Sequence, residues 1–194
     1  MIGGIVLAAG AGSRMGGRAK ALIEIDGEVL LHRILDRFVD AGVTDLGVVL
    51  GAHADAVADA CAAWSGPTHQ IRNPQWHTGQ AGSVLAALDA APTTWTGVLI
   101  TPVDQPDLSS AVIAEMAACS TPARPILADG TPTHPAFLPR DCWPAVIDAL
   151  RTGPADRGAG AWLARHGRDV PVGELVTRAR DVDTTAELDA LNRG

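Results

Sequence analysis

Cysteine is scarce in this sequence, positive charge is outnumbered, and no apolar run is long. The three cysteines, Cys61, Cys119 and Cys142, lie far apart without CxxC spacing, and their odd number excludes complete pairing within the chain. Reduced, buried and inert thiols of a cytoplasmic protein are expected. With 15 basic against 22 acidic residues the formal net charge is −7, which excludes the basic face of a nonspecific nucleic-acid or anionic-membrane binder. The first apolar run stops at Gly10 and no basic region precedes it, so neither a secretory leader nor a membrane span is expected. Tyrosine is absent, yet 47% apolar and 19% charged residues are ordinary for a globular chain and argue against disorder or a coiled coil. A chain of 194 residues without repeats, low-complexity tracts or linkers is expected to form one domain over residues 1–194.

Against these absences stands the stretch 5–20, IVLAAGAGSRMGGRAK. A short apolar run turns into a loop holding Gly10, Gly12, Gly16 and Gly17 together with Arg14, Arg18 and Lys20. Glycines let backbone N–H groups approach an anion while fixed cations neutralise its charge, a composition that suits phosphate. The common phosphate motifs do not fit. Lys20 lies between Ala19 and Ala21, so GxxxxGK followed by Ser or Thr is missing, and Gly10, Gly12 and Gly16 give GxGxxxG rather than the dinucleotide fingerprint GxGxxG. The next apolar strand ends Leu50-Gly51-Ala52 without the acid that would bind a ribose.

Apolar patterning predicts strands at 3–9, 46–51, 68–72 and 97–103, and helices at 28–41, 54–64 and 83–91, an order of repeated βαβ units. A helix is expected over 109–120, then two close strands at 125–129 and 133–138 resembling a hairpin-like insertion. Helices at 142–151 and 157–166, a strand at 169–173, and a last helix over 184–192 complete the pattern; Thr184 and Glu187 have capping-box spacing. Asp104 directly follows the strand at 97–103, where parallel sheets gather their ligands. His32, His53, His69, His77 and His166 lack metal-ligand spacing, and no Ser-His-Asp or Cys-His arrangement is readable.

The ordered string Leu7-Ala8-Ala9-Gly10-Ala11-Gly12-Ser13-Arg14-Met15-Gly16, then Lys20 and Leu22, resembles the LAAGxGxRMG…KxL signature of the MobA-like nucleotidyltransferases. Asn73-Pro74-Gln75-Trp76 through Gly79 and Ser83, Asp104-Gln105-Pro106, His134-Pro135, Asp156-Arg157-Gly158-Ala159 and Asp181-Val182-Asp183-Thr184 extend the likeness over most of the chain. The resemblance implies a three-layer α/β/α sandwich with a Rossmann-like, mostly parallel sheet of the nucleotide-diphospho-sugar transferase type. It also implies Mg²⁺-dependent nucleotidyl transfer from CTP or another NTP to a phosphate-bearing small-molecule acceptor such as molybdopterin, with a molybdoenzyme as a further partner. Leu7, Ala8, Ala9, Gly10, Gly12, Ser13, Arg14, Lys20, Gly79, Ser83 and Asp104 are then the nucleotide-binding residues, with Arg14, Lys20 and Asp104 catalytic. Asp104 and Asp183 are the expected metal ligands, and His134, Asp156 and Arg157 the expected acceptor contacts. An acid at 104 also serves as a turn cap and one at 183 as a helix cap.

The acceptor side departs from the family pattern. Ala155 and Gly160 stand where GDxGAR has its first glycine and its arginine, and Thr133 replaces the glycine of GHP. The missing arginine removes one cation for an anionic acceptor. Ala9 resembles the cytidylyl branch, in which Leu-Ala-Ala-Gly stands for the guanylyl branch's Leu-Ala-Gly-Gly. Nicotine blue oxidoreductases carry the same signature and define an electron-transfer alternative; a non-catalytic nucleotide-binding partner of a molybdoenzyme is a third.

Overall fold

The computed structural model describes residues 1–173, 175 and 181–191. In chain order its strands are β1 (Ile2–Ala8), β2 (Glu24–Ile25), β3 (Glu28–Val29), β4 (Leu46–Leu50), β5 (Thr68–Arg72), β6 (Gly97–Pro102), β7 (Ala123–Ile126), β8 (Ala136–Pro139) and β9 (Arg168–Pro171). The helices are α1 (Leu30–Asp40), α2 (Ala54–Ala63), α3 (Gln80–Ala90), α4 (Ser110–Ala117), α5 (Trp143–Thr152), α6 (Gly160–His166) and α7 (Thr185–Leu191). Seven strands form one sheet in the order β5-β4-β1-β6-β8-β7-β9, parallel from β5 to β6, with β8 antiparallel to both β6 and β7 and β9 parallel to β7.

Strand alternation divides the core in two. Val6, Ala8, Val48 and Leu50 join the buried faces of α1, α2 and α4, while Ile5, Leu7, Val49 and Ile100 join α3, α5 and α6 on the other side. The result is the expected α/β/α sandwich. In α1 the ridge residues Leu30, Leu31, Ile34, Leu35 and Phe38 are fully buried, each contributing roughly 1.5–3 kcal/mol of burial. The chain moves outward from β1 in both directions, since β4 and β6 flank it as parallel neighbours. That makes the carboxyl ends of β1 and β6 a switch point, where the loops diverge and leave a crevice.

Four expectations are corrected. The helix expected at 28–41 begins at Leu30, because Glu28 and Val29 pair with Ile25 and Glu24 across the turn at Asp26 and Gly27. The strands expected at 125–129 and 133–138 are β7 and β8; they pair antiparallel but are members of the main sheet, with β8 running along Gly97 to Ile100 of β6. The helix expected at 157–166 starts at Gly160, because Arg157 N–H closes a turn on the Pro154 carbonyl at 3.2 Å. The last helix begins at Thr185, and its expected final residue, Asn192, lies outside the described residues. All three cysteines are free, and burial with the neighbouring Asp141 charge pushes the Cys142 thiol up to about 12. No helix among the described residues is long and apolar enough to cross a membrane.

Candidate functional site

The glycine loop after β1 is folded on itself. Gly12 has φ +60°, and a Cβ there would stand 1.8 Å from the Arg18 carbonyl oxygen, so only glycine fits. Its own carbonyl accepts from the N–H groups of Met15 and Gly17 at 2.8 and 3.0 Å, and the Met15 side chain is buried beneath. Arg14 and Arg18 are left exposed on the outside of this turn, whereas Lys20 points inward. Gly10, Gly12 and Lys20 meet Pro102, Val103 and Asp104 around a cavity of about 110 Å³ at the crevice, with Leu7 and Ala8 as its floor. Ala9 and Ser13 do not line it: the Ala9 carbonyl accepts from Ala52 N–H at 3.0 Å, and Ser13 is exposed at the start of the turn.

Four charged groups meet beside this cavity, of which Lys20 and Asp104 line it. The Lys20 ammonium donates to Asp104 Oδ2 at 2.8 Å and to Asp183 Oδ1, while Arg14 Nη1 donates to the other Asp183 oxygen at 3.0 Å. Burial works against the Lys20 charge, but the two carboxylates outweigh it and hold the ammonium above its ordinary range. The Lys20 hydrogen bond is the main cause holding Asp183 below the usual carboxylate range. Arg14 is 74% exposed, so its ion pair adds less than about 1 kcal/mol. Asp183 is fixed from both sides: Val182 N–H donates to the Asp104 carbonyl at 3.0 Å, and Glu187 Oε2 accepts from the N–H groups of Asp183 and Thr184 at 2.8 Å each. The capping box is present, and Asp183 remains free to face the loop.

A larger cavity of about 370 Å³ opens beside the first and shares Leu7 and Pro102 with it. His134, Asp156 and Arg157 all line it, so the three expected acceptor residues are brought together; Gln80, which the family pattern places with Gly79 and Ser83 near the base, lines it too, as does Arg124, which the pattern of residues had not singled out. Arg124 is tied to Asp169 at 2.6 Å; among the described residues Arg157 has no carboxylate partner and is exposed. The His134 Nδ1 atom is buried without a hydrogen-bond partner among the described residues. Burial depresses the His134 pKa, against the opposing pull of Asp104 and the Ile100 carbonyl, so its ring is neutral.

Gly79 and Ser83 line neither cavity. Ser83 Oγ accepts from Asn73 Nδ2 at 3.1 Å inside the fold. Gly79 has φ +129°, and a Cβ there would come within 2.1 Å of the Ala155 carbonyl, whose oxygen also accepts from Ala81 N–H at 3.1 Å. The start of α3 thus carries the 155–158 loop that walls the larger cavity.

Residues 4–170 match the MobA-like NTP transferase domain. The chain belongs to this family. It is 35% identical over 164 residues to the nicotine blue oxidoreductase of Paenarthrobacter nicotinovorans, covering 84% of this chain and 78% of that one. It is 29% identical over 135 residues to the molybdenum cofactor guanylyltransferase of Vibrio cholerae, 69% of this chain and 62% of that one. The Mycobacterium tuberculosis protein Rv0371c superposes with a TM-score of 0.79 and 28% identity over 100% of this chain and 98% of its own. The same protein solved in complex with manganese gives a TM-score of 0.73 at 25% identity, over 100% of this chain and 98% of its own. As a MobA-like transferase, the protein is a nucleotidyltransferase with the nucleotide-diphospho-sugar transferase fold.

Proposed function

We propose that this MobA-like protein transfers the cytidylyl group of CTP to a phosphate-bearing acceptor, with molybdopterin as the first candidate, and releases pyrophosphate. The observation that carries the reading is the convergence of Lys20, Asp104 and Asp183 at the ends of β1 and β6, against a second cavity lined by His134, Asp156 and Arg157. An acceptor phosphate oxygen forms a bond to the α-phosphorus, the α–β phosphoanhydride bond breaks, and its electrons leave with pyrophosphate. Anions must approach one another for this, so neutralising charge is the main task of the site. Loop N–H groups with Arg14 and Lys20 hold the triphosphate and offset the charge that moves onto the leaving group. The larger cavity, with an arginine that has no carboxylate partner among the described residues and its neutral histidine, receives the acceptor; its volume suits a small molecule.

The donor set fits Mg²⁺. Asp104 and Asp183 already direct oxygens at one cation, the Lys20 ammonium. Among the described residues no three His, Cys, Asp or Glu side chains could hold a metal unaided, so phosphate and water would complete the shell, as is usual for this ion. When bound, Mg²⁺ supplies charge neutralisation on phosphate oxygens. The preference for CTP rests on Ala9, as in the cytidylyl branch. We place the enzyme in molybdenum cofactor biosynthesis in the cytoplasm, as one domain over residues 1–194.

Pyrophosphate release measured across CTP, GTP, ATP and UTP, with molybdopterin and sugar phosphates as acceptors, tests the reading. Release with CTP and molybdopterin supports it, and nucleotide binding without release from any pair overturns it. A second reading, from the 35% identity to nicotine blue oxidoreductase, is reduction of an aromatic acceptor by NADH or NADPH. The end of β4 opposes it, since Leu50 is followed by Gly51 and Ala52 and no acid stands there for a ribose. Consumption of NADH with a quinone-like acceptor would decide for the second reading.

A further inference from the structure

Gln105 follows Asp104 out of β6 and is buried at 7% exposure. Its amide is used in two directions: Nε2 donates to Asp181 Oδ1, and Oε1 accepts from Thr133 Oγ1 at a long 3.4 Å. An amide can donate to a carboxylate on one side and accept from a hydroxyl on the other, which a carboxylate at this position could not. The partners are far apart in sequence. Asp181 belongs to the segment that presents Asp183 to Lys20, and Thr133 precedes His134 in the wall of the larger cavity.

The segment 181–183 needs such a tether. Asp104, Asp181 and Asp183 carry like charges close enough to act on one another, and Lys20 sits against two of them. The segment is held by alternate contacts: Asp181 by the Gln105 amide, Val182 by its backbone bond to Asp104 and its fully buried side chain, and Asp183 by Lys20.

We propose that Gln105 is a positioning residue: through Asp181 it sets the place at which Asp183 meets Lys20 and the divalent cation. This rests on the reading of Asp104 and Asp183 as the cation-binding pair. Asp183 then depends on an amide it does not touch. The same amide reaches Thr133, so the cation pair and the acceptor wall share one anchor.

The test is Mn²⁺ binding to the full chain, followed by electron paramagnetic resonance of the free ion in the presence of a non-hydrolysable CTP analogue. Gln105→Glu puts a carboxylate against Asp181 and is expected to weaken Mn²⁺ binding by roughly 10- to 100-fold, the range typical for supports of a metal ligand. Adding Asp181→Asn restores the hydrogen bond with its polarity reversed, and the double variant should recover most of the affinity. Simple charge addition predicts the opposite sign, because an extra carboxylate near a cation site attracts the ion. Unchanged or tighter binding in Gln105→Glu, or no recovery in the double variant, overturns the proposal. If Gln105→Glu does not fold, Gln105→Met, which keeps the bulk and loses both hydrogen bonds, carries the same expected loss, and wild-type affinity in it overturns the proposal equally. Absence of Mn²⁺ binding in the wild-type protein with the analogue present would instead remove the cation pair itself, and the inference with it.

Discussion

The two cavities that share Leu7 and Pro102 differ in how their polar side chains are paired. Lys20 and Asp104 line the smaller, and with Asp183 and Arg14 beside it they satisfy one another, while backbone hydrogen bonds fold the glycine loop behind them. The larger is walled by Leu7, Val84, Ile100 and Leu163, with a buried His134 nitrogen that has no partner among the described residues and an Arg157 that faces solvent. The charged side keeps its cations and anions paired until a ligand replaces one of them. The larger cavity holds polar groups, His134 Nδ1 and the Arg157 guanidinium, that have no such pairing among the described residues; on the proposed reading these are the contacts left for an acceptor.

The largest expected effect tests the charged side. Lys20→Ala and Asp104→Ala should each lower pyrophosphate release from CTP by roughly 10²–10³-fold, the loss typical of a group that stabilises developing charge, with the circular dichroism spectrum unchanged. Near-normal turnover in both would remove the distinction between the cavities. Next, Arg157→Ala should raise the acceptor KM by about tenfold, as for one charge-assisted hydrogen bond, and leave the nucleotide KM unaltered. Equal rises in both constants would show that the cavities do not act separately. A smaller effect is thermal: CTP with Mg²⁺ should raise Tm by several degrees more than CTP alone, and Asp183→Asn should erase that difference.

The smallest effect separates the cavities by pH. Asp183 is held below its ordinary 3.8, so its contribution to stability is present above that value and lost as pH falls through the lower folded value. Lys20 is held above 10.5, so its contribution is present below that value and lost as pH rises through the higher folded one. Neither gives a slope near neutrality. His134 is depressed below 6.5, so the unfolded chain takes up a proton that the folded one refuses, and stability falls as pH drops below 6.5. The slope is at most about 1.4 kcal/mol per pH unit, and urea unfolding between pH 5 and 7 should show it flatten in His134→Gln. An unchanged slope would place the titrating group elsewhere.

The same contrast explains what the sequence made legible. Local strings carried the charged side: the glycine loop, Asp104 two residues past the end of β6, and the Thr184–Glu187 cap behind Asp183 could all be read from spacing. Nonlocal pairing carried the rest. Strands of two residues such as β2 and β3 are too short to show a period, and Val29 reads naturally as the first turn of α1. That β8 joins β6 rather than standing as a separate hairpin depends on contacts across the sheet. Ser83, placed by family pattern beside the nucleotide, is bonded to Asn73, and Gly79 packs on Ala155. The partners of Gln105 lie 28 and 76 residues away, beyond any local signal.

Among the described residues the last strand of the sheet ends at Pro171, and Asp183, one of the two carboxylates bonded to Lys20, comes later in the chain. Val182 beside it is fully buried in the core, so the segment that completes the charge pair also closes the packing. Removing residues 181–191 would strip Lys20 of half of its counter-charge and the core of a buried side chain at once.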